Sequence, residues 1–323
     1  MKFRVCRSID EWRLVMGGAP SVVTVGNFDG VHLGHQAILA RVVALARARG
    51  ERAAAIIFDP HPLKVLRPES AVPLVTTLAE RLDLLAGTGL DGVLVLPFTP
   101  EFARLTPEEF VRQVIVEALG ASGVLVGANF RFGHRQAGDA GLLAALGAQL
   151  GFTVELVPAV CLRGDRISST LVRQAIAAGR VARAGRMLGR PFALAGEIRP
   201  GTGQGRRLVV PTLNLATAQE LMPARGVYAT EALVGGRLYR AATNVGFRPT
   251  FNGHSLTVES HLLDFAEERD SGPLELRFWK RLRDERKFSS PAELRAQVMA
   301  DIGRAARFFG RLDRWRRPVA APR

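Results

Sequence analysis

The hydrophobic pattern of the first half of the chain alternates between short apolar runs and longer amphipathic segments. Ser21–Val25 is β-branched and predicts a buried strand, and the apolar spacing from Leu33 to Arg49, which stops at Gly50, predicts a helix. The same reading predicts further strands at Ala53–Phe58, Gly92–Leu96, Val124–Val126 and Phe152–Val157, and further helices at Leu78–Leu85, Pro107–Leu119 and Ala140–Leu150. Strands that alternate with helices favour an α/β fold with a doubly wound parallel sheet, whose ligands bind beyond the carboxyl ends of the strands.

The pattern changes after Arg180. A short helical stretch ends at Gly189-Arg190-Pro191, and β-type segments separated by Gly, Pro and Asn follow it. They lie at Phe192–Ile198, Val227–Val234, Leu238–Val245, Leu256–Phe265 and Leu274–Leu282. Consecutive antiparallel strands predict a small β-barrel, and Ser290 with Glu293 predicts the capped start of a C-terminal helix. We therefore expect domains at 1–182 and 183–310, followed by a loose basic tail at 311–323.

Composition excludes several classes of protein. The chain has 323 residues, a hydrophobic fraction of 47% and a charged fraction of 23%, which is unlike a disordered protein. No apolar run approaches the roughly 20 residues of a membrane span, and charges interrupt the segment where a signal peptide needs an apolar core. Two distant cysteines, Cys6 and Cys161, exclude a disulfide scaffold or a thiolate zinc site, so we expect a cytoplasmic protein.

The net charge of +14 comes mainly from arginine, and we interpret it as a bias of the whole chain. It indicates attraction for anions such as phosphates. We expect no nucleic-acid partner and no membrane partner, while a weak homo-oligomer is left open.

The segment with the most candidate functional residues runs from Thr24 to His35. His32 and His35 are three residues apart at the start of a predicted helix, so their rings share one face. A helix N-terminus offers free N–H groups and a positive dipole, and Gly34 leaves space between the two rings. Such a pair can stabilise charge that grows on a phosphate. Further along the chain, the sequence Ile167-Ser-Ser-Thr-Leu-Val-Arg173 supplies hydroxyl groups, a helix cap and a guanidinium one turn in.

Together these two segments resemble the motifs HxGH and ISSTxxR of the nucleotidyltransferase superfamily. The segments Phe58-Asp-Pro-His-Pro62 and Gly127-Ala-Asn-Phe-Arg-Phe-Gly133 are similar to loops of the bifunctional riboflavin kinase/FAD synthetase family. The resemblance implies a first domain that transfers AMP from ATP to FMN, giving FAD and pyrophosphate. The implied ATP contacts are Gly26, Asn27, Phe28, Asp29, His32, His35, Ser168, Ser169, Thr170 and Arg173. The implied flavin contacts in this domain are Phe58, Pro60, His61, Asn129, Phe130 and Arg131.

The second half resembles the riboflavin kinase domain of the same family. Pro211-Thr-Leu-Asn214 is similar to the PTxN motif, through which Thr212 and Asn214 are expected to hold Mg²⁺ and ATP phosphates. Glu259 shares one strand face with Thr257 and His261, and it matches the family's general base for the riboflavin hydroxyl. The glycines of the preceding loop are expected to approach ATP, and Phe247 and Arg248 are expected to contact flavin. Those glycines are Gly201, Gly203 and Gly205.

Departures from the family pattern leave alternatives open. Pro200, Thr202, Val209 and Val210 replace residues that are usual in the kinase loop, and Ser271-Gly272 replaces a usual Tyr-Gly. One alternative is therefore an FAD synthetase with a weak or inactive kinase domain. A second is a nucleotidyltransferase for another phosphorylated acceptor, and a third is a binding module for nucleic acid.

Overall fold

A computed structural model describes residues 2–200, 210–250, 253–267 and 269–316 of the chain; the side chains of 247–256 and 315–316 lie outside the described part. The chain divides into two compact units, Met1–Ser169 and Thr170–Arg323. Among the residues described, no helix combines the length and the apolarity that crossing a membrane requires.

The first unit is built on a six-stranded parallel sheet with the strand order β1-β4-β3-β2-β5-β8. Its strands are β1 (Arg4–Cys6), β2 (Ser21–Val25), β3 (Arg52–Asp59), β4 (Gly92–Pro97), β5 (Ala121–Gly127) and β8 (Thr153–Val157). Two small hairpins lie outside the sheet and consist of β6 (Arg131–Phe132) with β7 (Gly138–Asp139) and β9 (Cys161–Leu162) with β10 (Asp165–Arg166). Each strand contact in the main sheet is parallel, as the alternation of strands and helices predicts.

Helices cover the sheet of the first unit. They are α1 (Ile9–Met16), α2 (Leu33–Arg49), α3 (Pro62–Leu66), α4 (Leu78–Ala86), α5 (Pro107–Phe110) and α6 (Ala140–Leu150). The predicted helix after Thr106 exists, but it changes from α-helical to π-helical winding over Val111–Ala118. Two apolar clusters, one containing Val23 and Ile56 and the other containing Val22 and Ile57, reflect the alternation of side chains along β2 and β3. The sheet is therefore buried on both faces, and its carboxyl edge is left for ligands.

The second unit is a closed antiparallel barrel with the strand order β11-β12-β15-β14-β13-β16. Its strands are β11 (Phe192–Arg199), β12 (Leu213–Ala216), β13 (Gly226–Val234), β14 (Arg237–Thr250), β15 (Gly253–Leu262) and β16 (Pro273–Asp284), and its helices are α7 (Ser169–Ala177), α8 (Val181–Leu188) and α9 (Pro291–Arg316). Helix α9 packs on the barrel through a cluster that includes Ala305 and Phe309. The expected barrel and C-terminal helix are both present.

Two expectations from the sequence need correction. Helix α9 continues to Arg316, so the start of the segment expected to be a loose tail is helical. Apolar residues such as Phe308 and Phe309 recur to that end of the chain and extend the face that packs on the barrel. The strand β12 was not predicted, because four residues that follow a glycine-rich loop carry too weak an alternation; it nevertheless joins β11 to β15 and closes the barrel.

Candidate functional site

The histidine pair lies where β2 passes into α2, at the carboxyl edge of the parallel sheet. His32 is the N-cap of α2, and its Nδ1 accepts a hydrogen bond from the backbone N–H of His35 at 3.2 Å. The two rings stack, with centroids 3.7 Å apart and planes 14° from parallel. Because Nδ1 of His32 is an acceptor, it carries no proton, and the proton of the ring lies on Nε2.

Burial and charge keep His35 neutral. Burial of the ring is the largest cause, and the nearby His32 and Arg81 add to it, so the pKa of His35 lies well below its usual value of about 6.5. Its Nδ1 is buried and has no hydrogen-bond partner among the described residues. The edge of the Phe28 ring packs against it, with centroids 5.1 Å apart. His35 is therefore a neutral, desolvated ring at the positive end of a 17-residue helix.

The neutral state of His35 makes stability depend on pH. Because its pKa in the folded chain is below that in the unfolded chain, the unfolded chain binds the extra proton as the pH falls. The folded state is therefore favoured by its neutral His35 above about pH 6.5. This contribution to the free energy of unfolding is lost as the pH falls through the pKa of His35 in the folded chain. We expect the urea midpoint to drop more between about pH 7.5 and about pH 5.5 in the wild type than in His35→Gln. Equal drops in the two proteins would argue against a buried neutral ring.

Gly34 makes the stacking of the two rings possible. A Cβ at this position would lie 3.1 Å from Cε1 and 3.2 Å from Nδ1 of His32, and 3.8 Å from the carbonyl oxygen of Ile167. We expect Gly34→Ala to push the His32 ring aside and to lower the nucleotidyl transfer that the resemblance implies for this domain about tenfold or more, because small displacements of catalytic groups are costly. The kinase reaction implied for the second domain is the control, and an unchanged rate of nucleotidyl transfer would count against a role for the stacked geometry.

The segment Ile167–Arg173 begins beside the loop between β2 and α2. The Ser169 hydroxyl donates to the carbonyl oxygen of Asp29 at 3.0 Å, and Ser169 is the first residue of α7. Ser168 precedes the helix, and Thr170 and Arg173 follow within its first turns. The motif therefore contributes a hydroxyl that holds the β2–α2 loop within the first unit.

The side chain of Asp29 anchors the β2–α2 loop to a second segment of the chain, residues 75–76. Its buried carboxylate accepts hydrogen bonds from the backbone N–H groups of Val75 and Thr76 at 2.9 and 3.2 Å. Asp29 is thus engaged with protein backbone, and its expected contact with ATP stays a prediction. Arg81, which the sequence analysis did not select, is only 2% exposed and lies close enough to His35 to influence its pKa.

Aromatic side chains gather at the ends of neighbouring strands. Phe58 is the last residue but one of β3, and its ring centroid lies 5.5 Å from that of Phe98, edge to face, and 5.7 Å from that of Phe102, at a tilt. Rings continue through Phe110 and Phe132 to Phe130, which stacks on Phe132 at 5.4 Å. We call these six rings the aromatic row. Phe110 and Phe132 are buried in the core of the first unit, whereas the other four rings are half-buried and can offer flat apolar surface to an aromatic ligand.

Polar residues expected around the flavin have partners within the first unit. Arg166 donates to the Oδ1 atom of Asn129 at 2.7 Å, and Arg131 forms an ion pair with Asp139 at 3.1 Å. The ring of His61 is buried, whereas Pro60 beside it is exposed. The structure thus brings Phe58 and Phe130 into one aromatic row and leaves Asn129 and Arg131 on the exposed side of their hairpin.

A second polar cluster lies on the barrel. Asn214 of β12 pairs in register with Glu259 of β15, and Asn244 of β14 pairs with Glu259 from the other side. Residues that face each other across antiparallel strands have side chains on the same face, about 5 Å apart. Val258 and Ser260, the neighbours of Glu259, are buried, so Glu259 points away from the barrel interior.

Contacts on both faces fix the register of this cluster. Outside the barrel, the His261 ring donates from Nδ1 to the carbonyl oxygen of Pro211 at 2.8 Å, which holds the segment that leads to Thr212. Inside, the buried hydroxyl of Thr243 lies 2.6 Å from that of Thr230 and 2.8 Å from that of Ser260. The amide of Asn214 therefore lies across from Glu259, and Thr212 lies one residue before β12.

Some expected contacts cannot be placed. Gly201, Gly203 and Gly205 lie outside the described residues, and so do the side chains of Phe247 and Arg248. Sequence reasoning also missed Asn244 as a site residue. Only the register between β14 and β15 identifies it, and alternation along one strand cannot reveal which residue of the next strand faces Glu259.

Comparisons with known proteins agree with the division of the chain into two units. A family model for FAD synthetase matches residues 17–171, and one for riboflavin kinase matches residues 188–309. The bifunctional riboflavin kinase/FMN adenylyltransferase of Escherichia coli K12 is 38% identical over 290 residues, which are 90% of this chain and 93% of the relative. The protein of that name from Pseudomonas fluorescens is 40% identical over 285 residues, which are 88% and 91% of the two chains.

A solved structure also resembles this chain. The crystal structure of a macrolide-efflux protein from Streptococcus pneumoniae has a TM-score of 0.84 and 29% identity, and the match covers 94% of this chain and 98% of that one. This likeness supports the architecture of a parallel sheet followed by an antiparallel barrel.

Proposed function

Since this chain belongs to the family of bifunctional riboflavin kinase/FMN adenylyltransferases, we propose that its two reactions take place at the two polar clusters. The first unit joins AMP from ATP to FMN at the histidine pair, and the second unit phosphorylates riboflavin at Glu259. The observation that carries this assignment is the presence of two chemically different clusters, one in each unit. The riboflavin kinase match over 188–309 favours the bifunctional reading over an FAD synthetase without a kinase.

The adenylylation site stabilises charge and needs no general base. A phosphate oxygen of FMN, already anionic, bonds to the α-phosphorus of ATP. The bond from that phosphorus to the bridging oxygen breaks, and its electron pair leaves with pyrophosphate. We assign to His32 and His35 the donation of hydrogen bonds to the phosphate oxygens whose charge grows, with support from the N-terminus of α2. Ser168, Ser169, Thr170 and Arg173 are proposed as further donors to the triphosphate.

The flavin of the first reaction is proposed to lie on the aromatic row. The support is the row itself, which joins Phe58 at the end of β3 to Phe130 after β5 at the ligand edge of the sheet. Isoalloxazine stacks well on such rings, since both surfaces are flat and apolar. Pro60, Asn129 and Arg131 are proposed to border it, and contacts of the flavin with them remain predictions.

The kinase site differs because its nucleophile is a neutral hydroxyl. We assign to Glu259 the acceptance of the proton from the terminal ribityl hydroxyl of riboflavin, as that oxygen bonds to the γ-phosphorus of ATP. The bond between the γ-phosphorus and its bridging oxygen breaks, and ADP leaves with the electron pair. Asn214 and Asn244 flank the carboxylate in register and can orient it or the hydroxyl.

The donor set beside Glu259 fits Mg²⁺. A hydroxyl from Thr212, an amide oxygen from Asn214 and a neighbouring carboxylate are hard oxygen donors, which this ion prefers together with water and phosphate. The described residues contain no group of three or more His, Cys, Asp or Glu side chains suited to a metal. We propose Thr212 and Asn214 as the protein ligands because of these donor types; the bound ion would supply charge neutralisation on the ATP phosphates.

We also propose that the functional domains are 1–182 and 183–310, and that the chain acts on these small molecules in the cytoplasm without nucleic-acid or membrane partners. The free thiols of Cys6 and Cys161 suit a reducing compartment. Whether the chain forms a weak homo-oligomer is decided by sedimentation at several protein concentrations.

The test of the proposed function is a product assay on the intact chain. With riboflavin as the only flavin, plus ATP and Mg²⁺, we expect FMN to appear first and FAD after it. FAD formed from added FMN but never from riboflavin would mean that the kinase half is inactive. No FAD from either flavin would overturn the proposal for the first unit.

A further inference from the structure

The amide side chain of Asn27 lies in the loop between β2 and α2 and has one atom paired and one atom unpaired. The paired atom is 3.1 Å from Nε2 of His61. The other amide atom is buried and has no partner among the described residues. A buried polar atom without a partner is costly in a folded protein, so this atom calls for a specific explanation.

The ring of His61 fixes which amide atom is which. Its Nδ1 accepts the backbone N–H of Leu63 at 3.2 Å, so Nδ1 carries no proton. A neutral imidazole with an unprotonated Nδ1 has its proton on Nε2. The Nε2–H group of His61 is therefore a donor, and the atom of Asn27 that faces it must be an acceptor.

The orientation of the Asn27 amide follows from that requirement. With its nitrogen toward His61, two N–H donors would face each other at 3.1 Å. Turning the amide by 180° removes this conflict, because its oxygen then accepts from Nε2–H; amide oxygen and nitrogen are exchanged by such a turn with no change of shape. The buried atom on the other side of the amide, to which no described group donates, is consequently the NH₂ group, which is itself a donor.

The surroundings of this donor select an anion. The loop leads into the positive end of α2, which His32 caps through its Nδ1. Donors and a positive dipole suit a phosphate oxygen and reject a cation. We propose that the Asn27 NH₂ group donates to a phosphate oxygen during adenylylation, and that His61 is a positioning residue that holds the amide in this orientation. This inference rests on the proposed adenylylation site.

The first test replaces the donor without changing its shape. Asn27→Asp can still accept from His61 but presents a carboxylate oxygen where the NH₂ group was. We expect its kcat/KM for FMN adenylylation to fall by about a hundredfold or more, and that of Asn27→Ala by about tenfold. Riboflavin phosphorylation by the same variants takes place in the second unit and is expected to stay at the wild-type rate, while the urea midpoint reports on folding of the first unit.

The second test separates the two hydrogen bonds of His61 with a matched pair of variants. In His61→Gln the amide nitrogen reaches the place of Nε2 and can still donate to Asn27. In His61→Asn the amide oxygen takes the place of Nδ1 and can still accept from Leu63, but the contact with Asn27 is lost. We expect His61→Gln to keep adenylylation within about threefold of the wild type and His61→Asn to lose about tenfold.

The pair of variants also distinguishes positioning from other roles of the ring. If His61 serves only to cap the short helix α3, His61→Asn keeps its rate and His61→Gln loses it, which overturns the inference. If the ring contacts flavin directly, both variants lose equally and the double variant His61→Asn/Asn27→Ala is slower than either single one. Positioning predicts that the double variant is no slower than Asn27→Ala. Full adenylylation in His35→Ala would instead show that the proposed site is wrong.

Discussion

His35→Ala is expected to lower the rate of FAD formation from FMN by at least about a hundredfold, while riboflavin phosphorylation stays at the wild-type rate. Loss of one preorganised donor to a developing oxyanion costs about 10²–10³-fold in other enzymes. The substitution also removes the ring against which His32 stacks, so the orientation of His32 is weakened as well, although the backbone N–H of residue 35 still reaches its Nδ1. The measurement is chromatographic separation of FMN and FAD after incubation with FMN and Mg-ATP.

The control for this substitution is His134→Ala. His134 is an exposed histidine of the same unit, and its Nδ1 contacts the carbonyl oxygen of Ala103. We expect this variant to make FAD at the wild-type rate. Loss of both activities in a folded His35→Ala protein would contradict the assignment of the two reactions to separate sites.

Glu259→Gln is expected to have the opposite effect. A general base contributes about 10²–10⁴-fold to a proton-coupled step, so riboflavin phosphorylation should fall by that factor. FAD formation from added FMN should not change. Glutamine keeps the size and the hydrogen-bonding reach of the side chain between Asn214 and Asn244, so the strand register is preserved and only the basic oxygen is lost.

The matched control is Glu197→Gln, which changes an exposed glutamate on β11 of the same barrel. It should phosphorylate riboflavin like the wild type. If Glu259→Gln keeps more than about a tenth of the kinase rate, the carboxylate is not the base, because the contribution of such a base is larger than tenfold.

Much of the site in the first unit was predictable, because the strand, the helix and the two histidines that form it are close together in sequence. The strand Ser21–Val25 and the helix Leu33–Arg49 have the bounds expected from periodicity. A spacing of three residues at a helix start places two rings together, and the stacked pair confirms that expectation. The stop at Gly50 is also local, since this residue ends the helix with a positive φ of 67°, which glycine adopts without strain.

What the sequence could not reveal depends on pairing between distant segments. The row Asn214–Glu259–Asn244 exists only in the register of three strands, and its first strand was too short to predict. Asn27 meets His61 across two parallel strands, although 34 residues separate them in sequence. Burial of Arg81 beside the histidine pair is likewise a property of packing, which no periodicity encodes.

The two inactive variants, His35→Ala and Glu259→Gln, allow the central claim to be tested in one mixture. With riboflavin and Mg-ATP, the first variant alone should stop at FMN and the second alone should form no new flavin. Mixed together, they should convert riboflavin to FAD, because FMN released by one protein is adenylylated by the other. A mixture in which FMN accumulates but no FAD forms, or in which no FMN forms, would contradict two independent sites on one chain.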